Sequence, residues 1–191
     1  MRVSKAQAEA NRERIVDTAS RLFREHGIDA TGVAELMAEA GLTHGGFYGH
    51  FASKDDLAVE ACQRAGDEAG VTWAARAERD PSHALKTLVD SYLTTAHRDG
   101  RSTGCFMPGL SVDVTRTENR ALREAFTSGV RGCLDVLVDA VHGRTRRERR
   151  RRALATLAAM VGAMVLARAV DDVTLSDELL KATRLELLAT R

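Results

Sequence analysis

The chain has two prolines, three cysteines and about 4% aromatic residues in 191 positions. So few prolines and aromatics argue against a β-sandwich. Cys62, Cys105 and Cys133 are far apart and odd in number, with no CxxC pair and no Cys/His ligand spacing. That fits free thiols in a reducing cytosol and leaves no metal or cofactor to expect. No signal-peptide pattern opens the sequence. Its longest apolar run, residues 153–167, is shorter than the roughly 20 residues a membrane span needs. A cytoplasmic protein without membrane association is the expectation. HExxH, Gly-x-Ser-x-Gly and phosphate-loop patterns are absent too, and no strand is available to carry them. His97 and Cys105 lack an orienting third group and an oxyanion site, so no enzyme is expected.

Charge of one sign is also scarce. The net charge is +1, and the first 58 residues carry seven Lys/Arg against nine Asp/Glu. A broad basic surface is therefore excluded as a binding mechanism. Positive charge is local: Arg2, Lys5, Arg12 and Arg14 near the start, Lys54 further on, and the arginine run Arg144 to Arg152. That run opens a helix whose remainder is apolar, and it has no aromatic interleaving. It reads as a solvated helix start, with an anionic partner as the alternative.

What is abundant is helical apolar spacing, rich in Ala, Leu, Arg and Glu. It predicts an all-α fold of about nine helices. A Ser4-x-x-Gln7 box opens the first helix and Gly27 ends it; Ser53-x-x-Asp56 opens the fourth, which runs to 79. Further helices are expected over 85–96, 106–115 (interrupted by Pro108-Gly109), 118–141, 146–170 and 176–189.

Residues 31–57 carry the most information. Val33, Leu36, Met37 and Ala40 form one helix face, Gly41 stops it, and Thr43 restarts the chain as an N-cap. The second helix, 43–50, is under two turns and cannot bury its own face. That is the helix-turn-helix arrangement that places a helix in the DNA major groove. Gly45 and Gly46 cost such a helix about 1 kcal/mol each relative to Ala, which close approach of its backbone to DNA would explain, the alternative being a marginal helix tolerated in a loop. Thr43 and His44 stand at its N-terminus, where free N–H groups favour phosphate. Tyr48 offers a hydroxyl to phosphate, Phe47 and Phe51 pack inward, and Thr31 and His50 are further contact candidates.

The segment GLTHGGFYGHFASKDDL, with Gly41, Leu42, Thr43, Phe47, Tyr48, Phe51, Ser53 and Lys54, resembles the signature of the TetR/AcrR repressors. The resemblance spans roughly residues 10–60. It implies backbone contacts to DNA by Tyr48 and Lys54, a helix-turn-helix domain over 8–68 (motif about 31–50), and a ligand-binding and dimerisation domain over 69–191. Met37 stands where many members carry Ala.

Trp73, Tyr92, Phe106, Met107, Phe126, Met160 and Met164 are pocket candidates, each equally consistent with plain core. Cys105, after Gly104, is either a small buried hydrophobe or a thiol activated by Arg98 and Arg101. Ala155, Ala159, Gly162 and Ala163, with Leu179 and Leu187, suggest a homodimer through the last two helices. The expected function is a repressor that binds a near-palindromic double-stranded DNA operator and is released by a small, mainly apolar effector. The alternative is a constitutive or architectural DNA binder whose second domain only dimerises.

Overall fold

The computed structural model describes residues 4–189, and among them every regular element is helical. In order these are α1 (Lys5–His26), α2 (Val33–Glu39), a 3₁₀ turn (His44–Gly49), α3 (Lys54–Arg79), a second 3₁₀ turn (Pro81–His83), α4 (Ala84–Tyr92), α5 (Thr95–Asp99), α6 (Phe106–Arg116), α7 (Arg120–Ala140), α8 (Arg146–Ala169) and α9 (Val173–Ala189). The all-α expectation holds. Arg2 lies outside the described residues.

The start signals do what their chemistry requires. Ser4 Oγ accepts from Gln7 N at 3.2 Å, and Ser53 Oγ accepts from Asp56 N at 3.0 Å. Each satisfies one of the orphan donors of a first turn. Pro108 does not break α6, because it stands at the third helical position, where no intrahelical N–H bond is lost.

Three boundaries differ from the sequence expectation. The helix expected over 85–96 is two helices. Thr94 takes an extended conformation and its hydroxyl accepts from His97 N, so a new N-cap divides the run. The last helix starts at Val173, because Asp172 Oδ1 accepts from the amides of Thr174 and Leu175. Residues 44–49 wind as a 3₁₀ turn, tighter than an α-helix.

The long α3 packs on α1, α7 and α4. Arg64 of α3 pairs with Glu13 and Asp17 of α1, and Arg12 of α1 pairs with Glu60. Arg12 also lies over the Phe51 ring, 4.6 Å from its centroid. One core is continuous from Ile15 and Phe23, through Leu36, Met37, Phe47 and Leu57, to Phe106, Leu137 and Met160. The α8 helix is long and apolar enough, by length and composition, to cross a membrane. Its stripe of Ala153, Leu157, Met160 and Met164 is buried in this core, as in the core helix of a globular bundle.

Candidate nucleic-acid interface

The turn between α2 and the 3₁₀ segment is set by Gly41 at φ +67. Leu42 N donates to Met37 O at 2.8 Å and Gly41 N to Ala38 O at 2.9 Å. This bond pair is a Schellman stop, which needs one left-handed residue and favours glycine there. The chain then leaves in a direction that seats Phe47 and Phe51 in the core, 0% and 4% exposed. Between them Tyr48 is 68% exposed. Its ring stands edge-on to Phe47, with centroids 5.3 Å apart. Alternation of inward phenylalanine and outward tyrosine thus orients the segment.

Thr43, His44, Gly45 and Tyr48 share the exposed surface, and Gly46 and His50 are half-buried at its edge. A Cβ added at Gly45 or Gly49 would meet nothing within 4 Å, and one at Gly46 would make only ordinary contacts at 3.7 Å with Met37 and Thr43. Packing within the chain therefore does not require these glycines. Thr43 occupies the N-cap position, but its hydroxyl makes no capping bond.

Two candidates are placed otherwise than expected. Thr31 is fully buried, and its hydroxyl donates to Gly27 O at 2.8 Å, so it faces away from any ligand surface. Gly32 is the N-cap of α2. Lys54 is half-buried, with Nζ donating to Ile28 O at 3.0 Å and Thr31 O at 3.3 Å. Its ammonium thus ties the start of α3 to the α1–α2 link and keeps one N–H for another partner. Arg12, expected among the free positive charges, is consumed by Glu60.

Residues 15–61 match the family model described as "Bacterial regulatory proteins, tetR family". That is the stretch holding the Schellman turn and the outward face. Residues 15–61 thus form a domain of the tetR family. It is 32% identical over 91 residues to the HTH-type transcriptional regulator AcrR of Shigella flexneri, covering 46% of this chain and 42% of that protein. It is 34% identical over 117 residues to the uncharacterized HTH-type transcriptional regulator YxaF of Bacillus subtilis (strain 168), covering 60% and 59%. The matched segments thus span about half the length of these relatives. A TetR-family transcriptional regulator from Cytophaga hutchinsonii shares the fold, with a TM-score of 0.75 at 20% identity over 99% of this chain and 97% of that one.

Away from the helix-turn-helix, a cavity of about 340 Å³ opens where α1, α3, α4 and the 94–105 segment meet. Of the pocket candidates, Trp73, Tyr92 and Cys105 are in its wall. Phe106, Met107, Met160 and Met164 are not; they are at most 3% exposed, in the core. Phe126 stacks edge-on against Phe106, with centroids 5.2 Å apart. The reason is that α3 and α7 are in backbone contact, which leaves no gap in the bundle centre.

The cavity wall also departs from the mainly apolar lining expected. It contains Arg24, Glu68, Arg76 and His97, none of which was a pocket candidate in the sequence. The readable signal for Arg24 is its place four residues after Ser20, on a face whose neighbours Ala19 and Phe23 are buried.

Cys105 behaves as a buried hydrophobe. Burial pushes its thiol up, against the opposing pull of the Met107 backbone, Tyr92, Arg168 and Arg24. Arg98 is engaged with Asp99 and Asp177 instead. Cys62 and Cys133 are pushed up by burial to about 12.

Of the dimer candidates, Ala155 is exposed, and Ala159, Gly162, Leu179 and Leu187 are half-buried. Ala163 is 6% exposed and faces its own core. Leu154, Leu166, Val173 and Leu175 add exposed apolar surface on α8 and the start of α9. A second, larger groove of about 670 Å³ includes Ala155, Ala159, Leu187 and Leu188. The arginine run is a solvated start: Thr145 Oγ1 accepts from Glu148 N at 3.1 Å, and Glu148 pairs with Arg152.

Proposed function

We propose that this chain is a transcriptional repressor that binds a near-palindromic double-stranded DNA operator as a homodimer and is released by a small-molecule effector. The DNA-binding unit comprises residues 8–68, and residues 69–191 supply most of the effector site and dimerise. The observation that carries the reading is the outward face of Thr43, His44, Gly45 and Tyr48. It holds glycines that internal packing does not need, beside an exposed tyrosine and no acidic residue. Such a face suits a backbone pressed close to phosphates and base edges.

Thr43, His44 and His50 are assigned to base edges or adjacent phosphates, and Tyr48 and the free donor of Lys54 to phosphate. Gly45 and Gly46 allow the approach. The exposed apolar side chains of α8 and α9 support a two-fold interface that sets two copies of the motif about one DNA turn, or a small multiple, apart. The polar cavity supports an effector over the constitutive alternative. Family relatives bear the names of transcriptional regulators, which agrees with a cytoplasmic DNA-binding role.

The test is protection mapping on the DNA flanking the gene. A protected near-palindrome is expected, with two halves on one face of the duplex. Protection of one half-site, or none at physiological salt, would overturn the proposal.

A further inference from the structure

Arg24 is a cation in an unusual position. Only 8% of its side chain is exposed. Its Nε donates to Ser20 O at 2.9 Å and its Nη1 to Gly104 O at 3.2 Å. The nearest carboxylate, Glu68, is half-exposed and 3.7 Å from Nη2, beyond a hydrogen bond. A guanidinium has five donors, so most of this one's remain unused. A desolvated cation with so little compensation is costly unless something else supplies the charge.

Arg24 lines the 340 Å³ cavity together with Arg76, whose Nη1 reaches Ser91 Oγ at 3.3 Å. Among the described residues Arg76 pairs with no carboxylate. His97 adds no charge. Its Nδ1 donates to Tyr92 O at 2.7 Å, and its Nε2 accepts from Cys105 N at 2.9 Å, so both nitrogens are committed in the neutral ring. Trp73 forms an aromatic wall, edge-on to Tyr92 at 5.7 Å. The wall therefore offers two guanidiniums, one carboxylate and a flat apolar surface. Its volume lies at the lower end of small-molecule sites.

We propose that this cavity is the effector site and that it takes a small organic anion, a carboxylate on a flat apolar body, with the carboxylate on Arg24 and the body against Trp73. This rests on the reading of the chain as an effector-released DNA-binding regulator. It also supplies the relay. Arg24 belongs to α1 of the DNA-binding unit, and its bond to Gly104 O ties that unit to the loop after α5. A carboxylate taking up the guanidinium draws it from Gly104. The loop cannot follow, because it is tight: a Cβ at Gly104 would stand 2.9 Å from Gly100 O and 3.0 Å from Arg168 Nη2. The strain passes to the end of α1, which α6 holds at two points. Gly109 abuts the Arg24 backbone, where a Cβ would be 2.8 Å from Arg24 O, and Asp113 Oδ2 accepts from Ile28 N at 3.2 Å.

Trp73 is the single tryptophan of the chain and reports occupancy without DNA. The intact protein is titrated with benzoate and 2-naphthoate, and with benzamide and 2-naphthamide as neutral isosteres, by Trp73 emission and calorimetry. A carboxylate should bind saturably, at least about tenfold more tightly than its amide. Arg24→Gln and Arg76→Gln should abolish that preference. Glu68→Gln, at a half-exposed position, should tighten carboxylate binding by removing the competing charge. No saturable response to either carboxylate at roughly millimolar concentration, or amides that bind equally well, would overturn the site. Bound carboxylate should weaken binding to the mapped operator by about fivefold or more. Carboxylate binding with operator affinity unmoved overturns the relay through Arg24. A protein that binds no operator even without ligand overturns the regulator reading instead, while the Trp73 titration still decides the site.

Discussion

Gly66 of α3 and Gly129 of α7 meet backbone to backbone. A Cβ built on Gly66 would lie 2.8 Å from Gly129 Cα, and one on Gly129 would lie 2.7 Å from the Phe106 ring. Glycine is required here by close approach and not by a bend. Gly70, one turn on, has nothing within 4 Å of an added Cβ. Gly66→Ala should therefore destabilise the protein by about 1–3 kcal/mol through overpacking. Gly70→Ala should be neutral or stabilise by up to about 1 kcal/mol, since alanine suits a helix interior better. Denaturant midpoints of the two single variants check this; equal midpoints would contradict it.

Lys54 and Tyr48 should separate folding from DNA contact. Lys54→Ala removes two charge-assisted bonds to Ile28 O and Thr31 O and should cost about 1.5 kcal/mol of stability. It should also weaken operator binding for all sequences and lower the salt slope by about one. Tyr48→Phe should leave stability within about 0.5 kcal/mol, the tyrosine being 68% exposed, and should weaken binding all the same. Thermal melts beside a salt-dependent binding series distinguish the two effects.

Substitution at His44 or Thr43 should change which operator is preferred more than the overall affinity, because base contacts specify and phosphate contacts position. Gly45→Leu has room within the free protein and should fold normally, yet lose binding to every sequence. A Gly45→Leu variant with full operator affinity would remove close backbone approach from the docking scheme.

His97 links stability to pH. Burial holds its pKa below the ordinary 6.5, outweighing the hydrogen bond to Tyr92 O. The unfolded chain therefore binds a proton that the folded chain resists, and stability rises with pH in that range. Above about pH 6.5 the group should contribute no pH dependence. As the pH falls below that value, stability should decline progressively toward the lower folded-state pKa. His97→Gln should flatten this slope in denaturation curves measured between about pH 5 and 7.

The proposed interface on α8 is tested at Gly162, where an added Cβ meets nothing in the single chain, and at the exposed Leu154. Gly162→Trp and Leu154→Glu should leave the monomer folded and lower the sedimenting mass at micromolar concentration. Operator affinity should fall with it, since two half-sites then bind independently.

The helix-turn-helix was readable because its signals are local. Gly41 stops one helix, Thr43 restarts the chain, and Phe47 and Phe51 alternate with Tyr48, all within a dozen residues. The cavity was not readable in the same way. Arg24, the pair Glu68 and Arg76, and His97 come from three separate helices, α1, α3 and α5, and no local spacing rule links the three. Phe106, Met160 and Met164 looked as much like a pocket as Trp73 and Tyr92, because apolar character does not say which side of a helix contact a residue occupies.

The sequence by itself determined the all-α class, the Ser4 and Ser53 caps, the Gly41 stop and the membership of residues 15–61 in their family, since each depends on neighbours within one or two turns. Only the tertiary structure decided that Thr31 turns inward, that Lys54 grips two carbonyls, that Gly66 serves contact with Gly129, and that Arg24 faces a cavity. Those outcomes depend on which helix lies against which. That is settled by packing over separations of tens of residues, where a single position carries no local sign of its partner.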